Sequence, residues 1–445
     1  MMTTSHVRCL LIALLTLTFV NFALSQQTQE ELSVGVPVSR EIAKGATHSY
    51  RITLASGQYV RLLVEQLGAD VAIRIFHPDG RLMVEVDSPT GAQGPERLSA
   101  IAESQGVHRV DMRRINEDAD GGRYELKLTD LRLASDADRS VVAGQAAYLE
   151  GDRARLARPA KRQEAIKKYE EAVTLYRAGG ERSGEGSALT NIGVVYNQLG
   201  DRQKALDYLN QGLALHKLAG DQREQARTYN YMAFASSAML ERQKALEYFN
   251  QSLQLSRNIG DGVGEAGALQ AISGIYSALG ELQQALDYMQ LALDKSKVVR
   301  DRNRQAWTLA NIGGLHNLLG DGHQALEYFT QSLSIYEEIK DTYGEGVVLF
   351  SIGNVYVGFR DWPKALEYFT RALPITATQD DRRWTEAMVI TSLGYTNYYL
   401  GNKQEALRYL NEALPTGRRK HLSASARRTF RWARLRKRWT ISIRL

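Results

Sequence analysis

The chain has 445 residues and a formal net charge of +6, with 44% hydrophobic and 24% charged residues. Those proportions belong to ordinary globular proteins and exclude a disordered or collagen-like chain. The charge is uneven: residues 416–445 hold eleven Lys or Arg and no acid, and removing eleven from +6 leaves −5 for the rest. A basic groove for nucleic acid is therefore not expected in the body of the protein.

Residues 1–25 place Arg8 before an apolar run from Cys9 to Leu24, then Ala23-Leu24-Ser25 before Gln26. A short basic region, an apolar core and small residues at a cleavage point are the pattern of a secretory signal cut after Ser25. The run falls short of the roughly 20 residues that span a bilayer, so no integral membrane span is expected after cleavage. The expected location is periplasmic or secreted. Cys9 is the only cysteine, and its removal leaves no disulfide, thiolate ligand or cysteine nucleophile.

Residues 37–135 read as a small antiparallel β-sandwich. Tyr50–Leu54, Tyr59–Val64, Val71–Phe76, Leu82–Val86, Val107–Met112 and Tyr124–Leu128 have strand character, with turns at Ser56-Gly57, Pro78-Asp79-Gly80 and Gly121-Gly122. Weaker flanking segments bring the expected total to about eight strands. Lys44-Gly45-Ala46-Thr47-His48-Ser49-Tyr50, Gly57-Gln58-Tyr59-Val60 and His77-Pro78-Asp79-Gly80 resemble the bacterial pre-peptidase C-terminal-like domain. That resemblance implies an accessory, non-catalytic module on an exported protein. A carbohydrate-binding sandwich would need an exposed aromatic platform, and the aromatics here fall mostly in core phase.

From Ser140 onward the texture is helical and repetitive. Ala165, Ala205, Ala245, Ala285, Ala325, Ala365 and Ala406 each open an Ala-Leu or Ala-Ile segment, at spacings of 40 residues and once 41. Each unit is a helix pair: the first helix carries Gly193, Ala233, Ser273, Gly313, Gly353 or Gly394 at its crossing, and the second carries the alanine. Apolar residues four and eight positions after the alanine, such as Phe369 and Leu373, fall on one helical face. Gly200, Gly280, Gly320 and Gly401 mark left-handed helix ends, and Asp221, Asp261, Asp301, Asp341 and Asp381 are placed to cap the following first helices.

A small crossing residue, an aromatic three later (Tyr196, Tyr276, Tyr356) and an alanine twelve later resemble the tetratricopeptide repeat (TPR). The resemblance covers six units over 181–415, preceded by lead-in helices and a degenerate half-repeat over 136–180. The expected fold is multidomain, a β-sandwich followed by an all-α superhelical solenoid of 40-residue units, where the commonest TPR has 34. Ser236, His316 and Asn397 replace the aromatic and put local packing in question. The order of signal, sandwich and repeats resembles exported bacterial TPR-CHAT proteins, whose protease domain needs a His/Cys pair; with Cys9 removed no cysteine is left for that pair, so the proteolytic role is not carried over.

Other patterns carry little. Gly262-Val263-Gly264-Glu265-Ala266-Gly267 satisfies a dinucleotide fingerprint as a string, but between two helices rather than after a strand. Asn116 to Gly121 has half of a calcium loop, with Lys127 where a glutamate is required. The histidines are scattered, and no nucleophile elbow occurs. No cofactor and no metal are expected, and the repeated Asp and Glu read as caps and solvated faces.

The positive signal is the inner wall of the first helices. By the resemblance, ligand-facing phases are Thr190, Asn197, Gln198, Arg227, Asn230, Phe234, Gln270, Trp307, Asn317, Phe350, Asn354, Tyr395, Tyr398 and Tyr399. Carboxamides there can bond a peptide backbone at donor and acceptor, and aromatics can hold side chains. The expected function is a non-enzymatic scaffold binding a protein or peptide partner. The rival is a truncated or frame-shifted remnant of a TPR-CHAT protease or signalling enzyme. Residues 416–445 read as an out-of-frame ending, because the repeat register stops there; a capping or membrane-facing helix around Trp432, Leu435 and Trp439 is the other reading. The N-terminal sequence of the exported chain is expected to start at Gln26; recovery of the intact chain in the membrane fraction would contradict the signal.

Overall fold

The computed structural model describes residues 30–87, 93–115, 122–157, 159–377 and 383–416. The signal segment, Asn116–Gly121, Asp381 and the basic tail from 417 lie outside the described residues. The chain divides into two compact units, Met1–Glu224 and Gln225–Leu445.

In the first unit, strands β1 (Glu30–Glu31), β3 (Thr47–Leu54), β5 (Val71–Phe76), β6 (Leu82–Val86) and β8 (Gly106–Arg114) form a sheet in the order β1-β3-β8-β5-β6. Strands β2 (Pro37–Glu41), β4 (Gln58–Leu67), β7 (Gln93–Ile101) and β9 (Arg123–Leu133) form the other, β2-β9-β4-β7. Period-2 alternation turns Tyr50, Ile52, Leu62, Ile73, Leu98, Met112 and Tyr124 into one shared core. All six expected strands are present. The sandwich is not wholly antiparallel: β1 runs parallel to β3, pairing Glu30 with Tyr50. Strand β7 escaped the pattern because Gly94, Pro95 and Glu96 interrupt it, residues a sheet tolerates at an edge.

That edge is closed by the helical part. Helix α1 (Asp136–Leu156) presents Gln145, whose Oε1 accepts from the Ser99 backbone N at 2.9 Å and whose Nε2 donates to Ser99 O at 3.2 Å. The carboxamide takes the place of a neighbouring strand and blocks edge pairing. Arg61 pairs with Glu181 at 2.5 Å, Arg97 with Asp221 at 3.7 Å, and Leu149 packs against the sandwich core.

The remaining helices of the first unit are α2 (Arg162–Gly179), α3 (Arg182–Leu199) and α4 (Arg202–Ala219); α5 (Gln222–Ala238) crosses into the second. There follow α6 (Arg242–Asn258), α7 (Gly262–Leu279), α8 (Leu282–Val298), α9 (Arg302–Leu318), α10 (Gly322–Ile339), α11 (Thr342–Gly358), α12 (Trp362–Ala377), α13 (Arg383–Tyr399) and α14 (Lys403–Thr416). The half-repeat expected around Ala165 is the second helix of a full pair. A Cβ on Gly151 of α1 would stand 2.7 Å from the Tyr169 ring of α2, so this pair crosses as closely as the others.

The crossing residues are small for a steric reason. A Cβ on Gly353 would lie 2.5 Å from Phe369, and one on Gly193 would lie 2.8 Å from Leu209. Asp261, Asp301 and Asp341 cap α7, α9 and α11 by accepting from Gly264 N, Arg304 N and Gly344 N at 2.9, 2.9 and 3.0 Å. Not all the repeated acids are caps or solvated, however. Glu185 and Glu265 are buried, and Glu265 receives Arg257 of α6 at 2.9 Å and Lys295 of α8 at 2.8 Å. Burial opposes its charge, but the hydrogen bonds from Lys295 and Arg257 outweigh it and hold the carboxyl below its ordinary range.

Two stability tests follow from local strain. Gly200, Gly280, Gly320 and Gly401 take the expected left-handed φ of 84–90°, but Leu240 and Arg360 hold φ of 66° and 60°. Leu240→Gly is expected to raise stability by about 1 kcal/mol, read by chemical denaturation. In the sandwich, burial and then the neighbouring Asp87 push the Asp70 carboxyl up to about 6. Its folded form binds more protons than the unfolded one, so its contribution is present below about pH 4 and is lost as pH rises to about 6. Asp70→Asn should therefore raise the sandwich's Tm above that of the parent at pH 7.5 and leave it unchanged at pH 4.

Candidate peptide-binding groove

Consecutive first helices touch one another, α9 against α11 and α11 against α13 in the second unit and α1 against α3 in the first. The first helices therefore form the inner wall of each unit. Phe234, Trp307 and Tyr398 lie on it with 44–48% of their surface exposed. Asn317 is also exposed, while Arg227, Asn230, Phe350, Asn354 and Tyr395 are half-buried. In the first unit Asn197 is half-buried and Gln198 exposed.

Two expected wall residues are instead packing residues. Gln270 is buried, donating from Nε2 to Thr308 Oγ1 at 2.7 Å and accepting from Arg304 Nη1 at 3.0 Å. Thr190 is fully buried beside His216, with its Oγ1 3.4 Å from Nε2. Both sit three residues before the crossing, a phase that turns Gln270 toward Thr308 of the next first helix and Thr190 toward His216 of its own second helix rather than into the groove. Asn230 shares that phase, and its Oδ1 is shut from solvent without a hydrogen-bond partner.

The aromatics are braced from behind. Phe234 meets Phe249 edge-on at 5.1 Å and Phe350 meets Phe369 at 5.7 Å, which limits their rotamers. The sequence pattern supplied Tyr395, Tyr398 and Tyr399 but missed the ring that joins them at α12: Trp362 stacks on Tyr399 at 4.3 Å with planes 6° apart, and Tyr395 and Tyr398 stand 5.3 and 5.5 Å from Tyr399. The available signal was Trp362 itself, at a position held by Arg, Leu or Gly in preceding units.

The substitutions that put packing in question are absorbed locally. Tyr196–Tyr208, Tyr276–Tyr288 and Tyr356–Tyr368 stack at 5.3–5.5 Å, and His316 stacks on Tyr328 at 5.3 Å in the same way. Where Ser236 stands, Tyr229 pairs with Tyr248 at 6.1 Å. Asn397 bonds Leu393 O and Asn402 Nδ2.

The fingerprint string at Gly262–Gly267 forms the first turn and a half of α7, capped by Asp261, and is not a phosphate loop leaving a strand. Among the described residues no three His, Cys, Asp or Glu are grouped to hold a metal ion, and no helix is long and apolar enough to cross a membrane.

Residues 145–217, 224–297 and 304–378 match a tetratricopeptide-repeat family model, and residues 354–434 match the model for anaphase-promoting complex subunit 5. No curated protein matches in sequence. Among solved structures, the chain is similar to a signal-transduction ATPase with a tetratricopeptide repeat sensor from Pyrococcus horikoshii (15% identity, TM-score 0.49, covering 63% of this chain and 47% of that one). It is also similar to aspartyl phosphate phosphatase F from Bacillus subtilis (12%, 0.49, 64% and 74%) and to the quorum sensor NprR from B. thuringiensis (15%, 0.45, 64% and 89%). With the 40-residue helix pairs, their small crossing residues and the matched family model, the helical part of this chain is a tetratricopeptide-repeat solenoid.

Proposed function

We propose that this protein is an extracytoplasmic scaffold that binds an extended peptide or partner segment along the inner wall of its second unit. The observation that carries the reading is the set of solvent-facing aromatics, Phe234, Trp307 and Tyr398, interleaved with the carboxamides of Asn317 and Asn354. An exposed indole on a braced helix face is unfavourable in water and becomes favourable when a partner covers it. Carboxamides beside it supply both donor and acceptor to a peptide backbone. The location rests on the signal pattern of residues 1–25, and the N-terminal sandwich is read as an accessory module like the pre-peptidase C-terminal-like domains it resembles.

The reading assigns no catalysis to the chain: a scaffold of this kind acts by holding its partner. The test uses ten-residue peptides selected from a random displayed library on the full chain, with binding read by fluorescence anisotropy. Asn317→Ala and Asn354→Ala are each expected to weaken binding by about 1 kcal/mol, the net value of one hydrogen bond. Affinity unchanged in the double variant, with the far-UV signal and Tm of the parent, would exclude this wall as the site.

A further inference from the structure

The inner wall of the second unit has a chemical character of its own. On a helix at 100° per residue, the positions six and two before the crossing residue and one and five after it fall within about 60° of arc. Across α7, α9, α11 and α13 none of these positions is Asp, Glu, Lys or Arg, in a chain whose residues are 24% charged. A wall kept only for contact with water would carry its share of charge. Two cations flank it: Arg304, held by Gln270 Oε1 at 3.0 Å and Asp301 at 3.1 Å, and Arg227 of α5, whose guanidinium stands 5.8 Å from the Tyr231 ring.

Three glycines on this wall, Gly274, Gly314 and Gly358 at the end of α11, lack the packing reason that explains the crossing glycines. A Cβ on Gly274, Gly314 or Gly358 would meet nothing within 4 Å, whereas one on Gly313, the crossing residue adjacent to Gly314, would meet Phe329 at 3.0 Å. Gly274 and Gly314 lie inside helices, where glycine is less stable than alanine. They occupy the same phase in successive units, one residue after the crossing, and Trp307 stands two turns before Gly314 on the same helix face. The absence of a side chain there leaves room for another backbone to approach closely.

We propose that the occupant of this wall is an uncharged, extended peptide segment whose backbone crosses α7 and α9 over Gly274 and Gly314, with an apolar side chain against Trp307. This rests on the peptide-groove reading and specifies its ligand. A charged side chain pointed at the wall would be desolvated without a counter-charge, which excludes acidic and basic motifs from the contact. Helix spacings of roughly 9 Å from α7 to α13 give a path of about 27 Å, or roughly eight residues in extended form.

The test compares ten-residue peptides selected on the full chain with those selected on the Trp307→Ala chain. Peptides that depend on Trp307 are expected to lack Asp, Glu, Lys and Arg through their central positions. The Gly274→Ala/Gly314→Ala variant is expected to melt higher than the parent, because alanine favours the helix, and to bind those peptides about tenfold more weakly. Trp307-dependent peptides that carry central charges, or that bind the alanine variant as tightly as the parent, overturn this inference and leave the groove standing. A selection that returns no Trp307-dependent peptide overturns the groove itself, and this inference with it.

Discussion

The close crossing of paired helices is the constraint on which the rest depends. At Gly353 the ring of Phe369 occupies the space a Cβ would need, and at Gly193 the side chain of Leu209 does the same. The second helix can approach only there, and its alanine twelve residues later sits fully buried in every unit from Ala205 to Ala365. Once that contact is fixed, the first helix has no freedom about its own axis. Phases one and five residues after the crossing turn to the inner wall, and phase three after it turns to the aromatic stack with the second helix. The same steric contact that gives the sequence its 40-residue period therefore aims Phe234 and Trp307.

Around this fixed contact the structure tolerates exchange. His316 takes a tyrosine's place against Tyr328 because an imidazole is flat and offers a π-face at the same 5.3 Å spacing. Ser236 cannot stack, and the stack moves to Tyr229 and Tyr248. Stacking requires only two planar groups at the right height, whereas the crossing requires the absence of atoms. The first condition has several solutions and the second has few, which is why the crossing residues stay Gly, Ala or Ser while the aromatic slot varies.

The sandwich and the first repeat pairs are joined by polar groups that each replace something lost on burial. Gln145 supplies the donor and acceptor that a strand beside Ser99 would have supplied. Arg61 and Glu181 bring opposite charges into the same partly buried contact. Such a contact is directional, so it fixes orientation as well as adhesion.

The sequence alone determined the period, the helix pairs, their caps at Asp261, Asp301 and Asp341, their left-handed ends at Gly200 or Gly320, and six strands with clean alternation. Each of these is a local consequence of residue type: sterics at a crossing, an acceptor at a helix start, a backbone free to take positive φ. Tertiary structure decided what local chemistry cannot see. Gln270 and Thr190 carry polar side chains at a phase expected to face a ligand, yet Thr308 in one case and His216 in the other draw them inward. Glu265 looks like a solvated acid and is buried because two cations from flanking helices converge on it. Strand β7 looks like a loop and is a strand because β4 and Gln145 satisfy its backbone from both sides. In each such case at least one deciding partner lies more than twenty residues away in the chain, and a hydrogen bond or ion pair across that distance leaves no period in the sequence.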